Sequence, residues 1–245
     1  KGRLFSDISK RSNVLTCDSL AALSPSSDMG ERSHKLQKLA QQLRSYNCSP
    51  SDCDSPAIKS AAVLVCIFEG ANGELRVLLT KRSSNLSMHP GEVALPGGKR
   101  DDGDSSDVET ALREAQEEIG LDPSLVDVVA VIPPFFSKGG MKVVPVIGIL
   151  YDKESYYPEV NRREVESLFN VHLEMFLKNE NRRGESKQWL GESYLLHAFE
   201  YRSGSEHQII YGLTAGILIS VASLVFERPP EFMEQRPSFW TKPKL

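Results

Sequence analysis

Glu114, Glu117 and Glu118 stand three and four residues apart, so on a helix their carboxylates share one face and converge within a few ångströms. Like charges at that spacing cost a surface helix a few tenths of a kcal/mol per pair. A divalent cation converts the cost into coordination, and hard carboxylate oxygens select Mg²⁺ or Mn²⁺. Such a centre serves hydrolysis at phosphorus: bound cations neutralise phosphate charge and lower the pKa of a water, which a carboxylate such as Glu118 or Glu117 then orients or deprotonates. Arg113 precedes Glu114 and points off the carboxylate face, where bidentate pairing fixes a loop.

The flanks predict a helix from about 105 to 119: Asp104, Ser105 or Ser106 caps its start and Gly120 supplies a left-handed residue at its end. Ahead of it, Pro96-Gly97-Gly98 lets the backbone approach a ligand or the helix where a side chain would obstruct. The chemistry therefore sits on a loop, a helix and a loop.

The octet Arg113-Glu114-Ala115-Gln116-Glu117-Glu118-Ile119-Gly120, with the upstream glycines, resembles the signature of the Nudix family, G-x5-E-x7-R-E-U-x-E-E-x-G-U, whose members hydrolyse nucleoside diphosphates linked to another group. Ala115 stands where a larger aliphatic is usual. In the first half, Asp104 takes the first acidic position, and one residue more than the pattern allows separates it from Arg113. The segment Leu78–Gly98, LLTKRSSNLSMHPGEVALPGG, is similar to the motif L-L-T-x-R-S-x3-R-x3-G-x3-F-P-G-G of the coenzyme A diphosphatase subfamily. Ser87 replaces its second Arg, and Leu95 its Phe.

The resemblance, closest to plant members and spanning roughly residues 60 to 240, implies an α/β/α sandwich on a mixed sheet. It implies metal ligation by Glu114, Glu117 and Glu118, and substrate binding at Arg82, Gly97, Gly98 and Lys99. It also implies a nucleotide substrate, coenzyme A or a derivative. NADH, ADP-ribose or another nucleoside diphosphate derivative is the alternative, followed by a non-catalytic binding module. Glu164, in a stretch resembling the family's N-x-x-E-V, is a further base supplied from a loop; as a helix-starting acid it would instead complement a dipole. Glu92 is either an extra metal ligand or half of a structural ion pair.

The chain has 245 residues, 40% hydrophobic and 25% charged, an ordinary globular balance, and its net charge of −4 gives no reason to expect nucleic acid as a partner. Cys17, Cys48, Cys53 and Cys66 lack the paired spacing of a zinc site or a disulfide framework. Residues 1–58 read as a leader. Its first part is basic and rich in serine, like a transit peptide to plastid or mitochondrion. Leu36, Leu39, Ala40 and Leu43 then give a short amphipathic helix that lies on the domain or on a second subunit of a homodimer.

Residues 59–245 form the domain. Strands are expected at Ala61–Phe68, Leu75–Lys81, Val126–Ile132, Val143–Tyr151, Gln188–Leu190, Tyr194–Tyr201 and His207–Tyr211, with helical pieces within Glu164–Lys178. Ile209–Phe226 carries no charge and includes G-x-x-x-G; a core helix from about Leu213 to Glu227 accounts for it better than a membrane span.

Overall fold

A computed structural model of the protein describes residues 33–46, 59–204 and 206–241. The leader's basic segment lies outside them, as do Cys17, Cys48 and Cys53. In chain order the elements are α1 (His34–Arg44), β1 (Ser60–Glu69), β2 (Leu75–Arg82), β3 (Val93–Ala94), β4 (Gly97–Lys99), α2 (Asp107–Ile119), β5 (Val126–Val131), β6 (Phe135–Phe136), β7 (Lys142–Leu150), β8 (Val165–His172), β9 (Arg182–Trp189), β10 (Glu192–Ser203), β11 (Glu206–Tyr211) and α3 (Gly212–Phe226).

The near-continuous apolar run of β1 is what a central strand buried on both faces requires. Ala62, Leu64, Cys66 and Phe68 face one way and pack with Ala111, Ala115 and Ile119 of α2. Ala61, Val65 and Ile67 face the other, joining Leu36, Leu39 and Leu43 of α1 and Ile217, Leu218 and Val221 of α3. One sheet is thereby held between helices, the α/β/α arrangement expected. The helix face that could have met a second subunit is spent on this chain's own core. Cys66 is fully buried, and burial pushes its thiol up to about 12.

The sheet is mixed. β1 and β7 run parallel over eight residue pairs, while the other pairings are antiparallel. β2 pairs with β1 only through Ile67–Glu69, beyond the turn at Gly70–Gly73. From there the two strands diverge, and β3 and β4 fill the gap, β3 on Thr80 and Lys81 and β4 on Ala61–Val63. That wedge carries Gly97 and Gly98 to the sheet's centre. A second sheet, β11-β10-β9, lies outside it.

Two expectations are corrected. The segment after Glu164 pairs with β2 as strand β8, because Val165, Ser167, Phe169 and Val171 alternate; its helical part is confined to one 3-10 turn, Leu173–Leu177. The strand expected at Gln188–Leu190 begins at Arg182: it is an exposed, polar edge strand with no apolar run to mark it. α3 has 15 residues, and no helix among the described residues is long and apolar enough to cross a membrane. The second glycine of its G-x-x-x-G admits Trp240, whose ring lies 2.2 Å from where a Cβ on Gly216 would stand.

Candidate active site

α2 is defined by local chemistry at both ends. Ser106 accepts a hydrogen bond from the Glu109 N–H at 3.2 Å, and Gly120 closes the helix in the left-handed region at φ 68°. The last carbonyls of the helix are covered by the following loop: Asn161 N donates to Glu118 O at 2.9 Å, and the Tyr156 hydroxyl to Ile119 O at 2.8 Å. Gly120 is required here twice over, since a Cβ would also meet Glu159 at 2.8 Å. This docking brings Glu164 to the carboxylate helix. Its carbonyl accepts from Ser83 N at 2.8 Å, tying the loop to the end of β2, where Arg82 stands.

Glu118 is the buried member, with its side chain 4% exposed. Its Oε2 accepts from the Gly97 N–H at 3.2 Å and its Oε1 lies 3.9 Å from Arg82 Nη1. Burial pushes its carboxyl up to about 7; the Gly97 N–H and Arg82 oppose this, while the charges of Glu114 and Glu164 add to it. Burial likewise raises Glu114, with Arg113 opposing and Glu117 and Glu164 adding. Glu114, Glu118 and Glu164 therefore share one electrostatic neighbourhood.

Spacing alone does not gather the three helix carboxylates, which corrects the expectation that they converge. Among the described residues no three His, Cys, Asp or Glu side chains stand close enough to hold a metal ion. Glu117 is 56% exposed and turned to Arg113 Nη1 at 3.1 Å, while Arg113 Nη2 takes Glu114 at 3.1 Å. Glu114 and Glu117 thus share the Arg113 guanidinium, while Glu118 faces Arg82.

The donor set nonetheless fits a hard divalent ion. Its atoms are carboxylate oxygens, and Gly98 leaves a cradle for one of them: a Cβ there would sit 2.4 Å from the Glu114 carboxyl carbon. Arg82 Nε is buried without a hydrogen-bond partner among the described residues, a donor left for an anion. Gly97, at φ 151°, lies against Ala62 O and Val63. Lys99 pairs with Ala61, which faces α1 and α3; strand alternation therefore directs its side chain away from α2, and the structure does not bring it to the carboxylates. Glu92 is likewise engaged elsewhere, 2.9 Å from His89 Nδ1 and hydrogen-bonded by Tyr211.

One feature lay beyond the sequence reading, the pairing of Asp104 with Arg113. Asp104 is buried, grips Arg113 with both oxygens and accepts from Asp101 N and the Thr110 hydroxyl, each at 2.9 Å. The Arg113 guanidinium holds the Asp104 carboxyl well below the usual carboxylate range. Arg113 Nη2 also donates to Lys99 O at 3.1 Å, fixing the loop before α2. Asn161, the first residue of the N-x-x-E-V stretch, joins the helix end to Glu164, its Nδ2 3.3 Å from Glu164 Oε1.

Residues 59–190 match the NUDIX domain family. The chain is 61% identical over 181 residues to "Nudix hydrolase 15, mitochondrial" of Arabidopsis thaliana, covering 74% of this chain and 64% of that protein. It is 56% identical to "Nudix hydrolase 22, chloroplastic" of the same plant, covering 74% and 60%. The chain thus spans somewhat under two thirds of the length of these two relatives. It is 37% identical to "Peroxisomal coenzyme A diphosphatase NUDT7" of Mus musculus, covering 65% of this chain and 68% of that protein. The chain belongs to the Nudix family.

Proposed function

We propose that the protein is a Mg²⁺- or Mn²⁺-dependent hydrolase that splits the diphosphate of coenzyme A and its thioesters. The products are 4′-phosphopantetheine, or its acyl form, and adenosine 3′,5′-bisphosphate. The observation that carries this reading is the buried Glu118, with Glu114 and Glu164 in its neighbourhood and the unfilled donor of Arg82 beside it. The mouse relative's name and the motif around Arg82 support the coenzyme A assignment.

Glu114, Glu117 and Glu118 would hold the cation, which would supply charge neutralisation at the phosphates and a water of lowered pKa. Glu118 or Glu164 would orient the attacking water and accept its proton; Glu164 is carried by a loop clamped to both α2 and β2. Arg82 takes a phosphate oxygen with its Nε and Nη groups. Gly97 and Gly98 present backbone where a side chain would block approach.

Ser87, where the subfamily motif has a second Arg, removes one phosphate-binding cation and keeps NADH and ADP-ribose as the second reading. Side-by-side hydrolysis of coenzyme A, NADH and ADP-ribose at one metal concentration, with products read by mass spectrometry, separates the two. Faster turnover of coenzyme A with release of adenosine 3′,5′-bisphosphate is expected; equal or faster turnover of NADH overturns the ordering. The names of the two plant relatives support placing the protein in a mitochondrion or plastid, which organelle fractionation checks.

A further inference from the structure

Apart from the carboxylate site, the connection between β5 and β6, α3 and the C-terminal segment border an open pocket of about 160 Å³. Ile132, Pro134, Phe135, Leu224 and Trp240 line it, together with the partly exposed cation Arg236. Arg82, Glu114, Glu118 and Glu164 do not, so this is a second place on the molecule.

Its walls are fixed. The Phe135 and Trp240 rings meet edge to face, 5.6 Å between centroids, and Trp240 is seated over Gly216 of α3. The chain leading to Arg236 is tied down on the second sheet, by Leu195 N to Gln235 O at 3.0 Å and by the His197 ring to Glu234 O at 2.8 Å. Pro134 has its φ locked by its own ring.

Volume and lining together name an occupant. A space of about 150 Å³ accepts a benzene-sized molecule, so the volume here suits one aromatic ring. Of the lining hydroxyls, Ser220 donates to Gly216 O at 2.8 Å and Thr241 to Ser238 O at 3.1 Å. At the cavity, Arg236 bonds Glu234 through Nε, and Glu234 is its one ion-pair partner among the described residues. Its two Nη groups form the fork that suits a carboxylate. We infer that the pocket binds a small aromatic carboxylate, its ring packed against Phe135 and Trp240 and its acid group on Arg236.

The test is a ¹⁹F NMR titration of the full chain with 4-fluorobenzoate and, as the neutral probe of the same shape, 4-fluorotoluene. Saturable broadening of 4-fluorobenzoate is expected, with a dissociation constant on the order of 1 mM. The neutral probe should bind about tenfold more weakly, and Arg236→Gln, at an exposed position, should weaken the acid by about the same factor. Ser220→Phe places a ring in the slot from α3 and should abolish binding of both, with the melting temperature as the check that it folds. No saturable binding to the wild type overturns the inference. Equal affinity for the two probes, or 4-fluorobenzoate binding unchanged by Arg236→Gln, overturns it as well.

Discussion

Asp104 holds Arg113 through two 2.9 Å hydrogen bonds, Oδ1 to Nε and Oδ2 to Nη2, across eight intervening residues. Here the shorter acid, nine residues before Arg113, completes the fork. Arg113, so fixed, reaches Glu114, Glu117 and the Lys99 carbonyl. One ion pair sets the loop and the carboxylate helix together.

Asp104→Asn is expected to lower kcat about tenfold, since a shift of the loop on the ångström scale misplaces reacting groups. Asp104→Glu should fail to rescue it, because the added methylene does not fit among four donors. The stability effect depends on pH. The folded pKa of Asp104 lies below its unfolded value of about 3.9, so its contribution is complete above that pH and is lost as pH falls towards the folded pKa. Urea midpoints of wild type and variant should differ most above pH 4 and converge at lower pH.

Glu118→Gln removes a charge that is buried and repelled by two others. Hydrolysis should fall by about a thousandfold, the scale of losing a group that acts in the transition state. In chelator, the variant should be more stable than wild type by on the order of 1–3 kcal/mol, because an isosteric amide carries no desolvation penalty for charge. Adding Mg²⁺ should raise the melting temperature of the wild type and not that of the variant. A variant as active as wild type would remove Glu118 from its assigned role.

Gly98→Ala and Gly97→Ala should separate function from folding. The Cβ at residue 98 meets the far end of the Glu114 side chain, which swings aside, so the fold survives and metal affinity drops about 10- to 100-fold by titration calorimetry. At residue 97 the Cβ meets backbone, Ala62 O at 2.4 Å, in a conformation L side chains rarely adopt. That variant should lose several kcal/mol, on the order of 3 or more, in urea unfolding.

Arg82→Ala should raise KM and lower kcat together, at least tenfold in kcat/KM. Arg82→Lys should recover little of it, because a point charge does not replace the planar fork. A lysine variant with wild-type kcat/KM would place Arg82 outside the phosphate site.

What the sequence disclosed follows from how local each signal is. α2 was legible because Ser106, the 3,4 spacing and Gly120 act within a turn or two of their own positions. β1 was legible because four apolar residues on each of two faces leave no other reading. β8 was not, since the alternation of Val165 and Val171 is short and its partner, β2, is distant in sequence. Glu164 was named by motif, yet its position depends on Asn161 N meeting Glu118 O, a contact that no spacing encodes. The pairing of Glu117 with Arg113 was not legible, because helical periodicity places Cβ atoms and says nothing of which guanidinium a carboxylate prefers. Asp104 was counted as a departure from the pattern, and its burial against Arg113 shows what a count of residues misses.

The parallel register of β1 and β7, with Ser60 opposite Lys142, has a kinetic consequence. Everything between them, including the glycine wedge and the carboxylate helix, is one long crossover, whose closure entropy is spent before the central ladder returns any enthalpy. During synthesis Arg82 and the carboxylates of α2 emerge from the ribosome ahead of β7, the strand that anchors their sheet, and Glu164 follows it. Maturation of the catalytic apparatus should therefore wait for β7 and the loop after it, and refolding followed by stopped-flow should show far-ultraviolet signal from helices gained before activity returns.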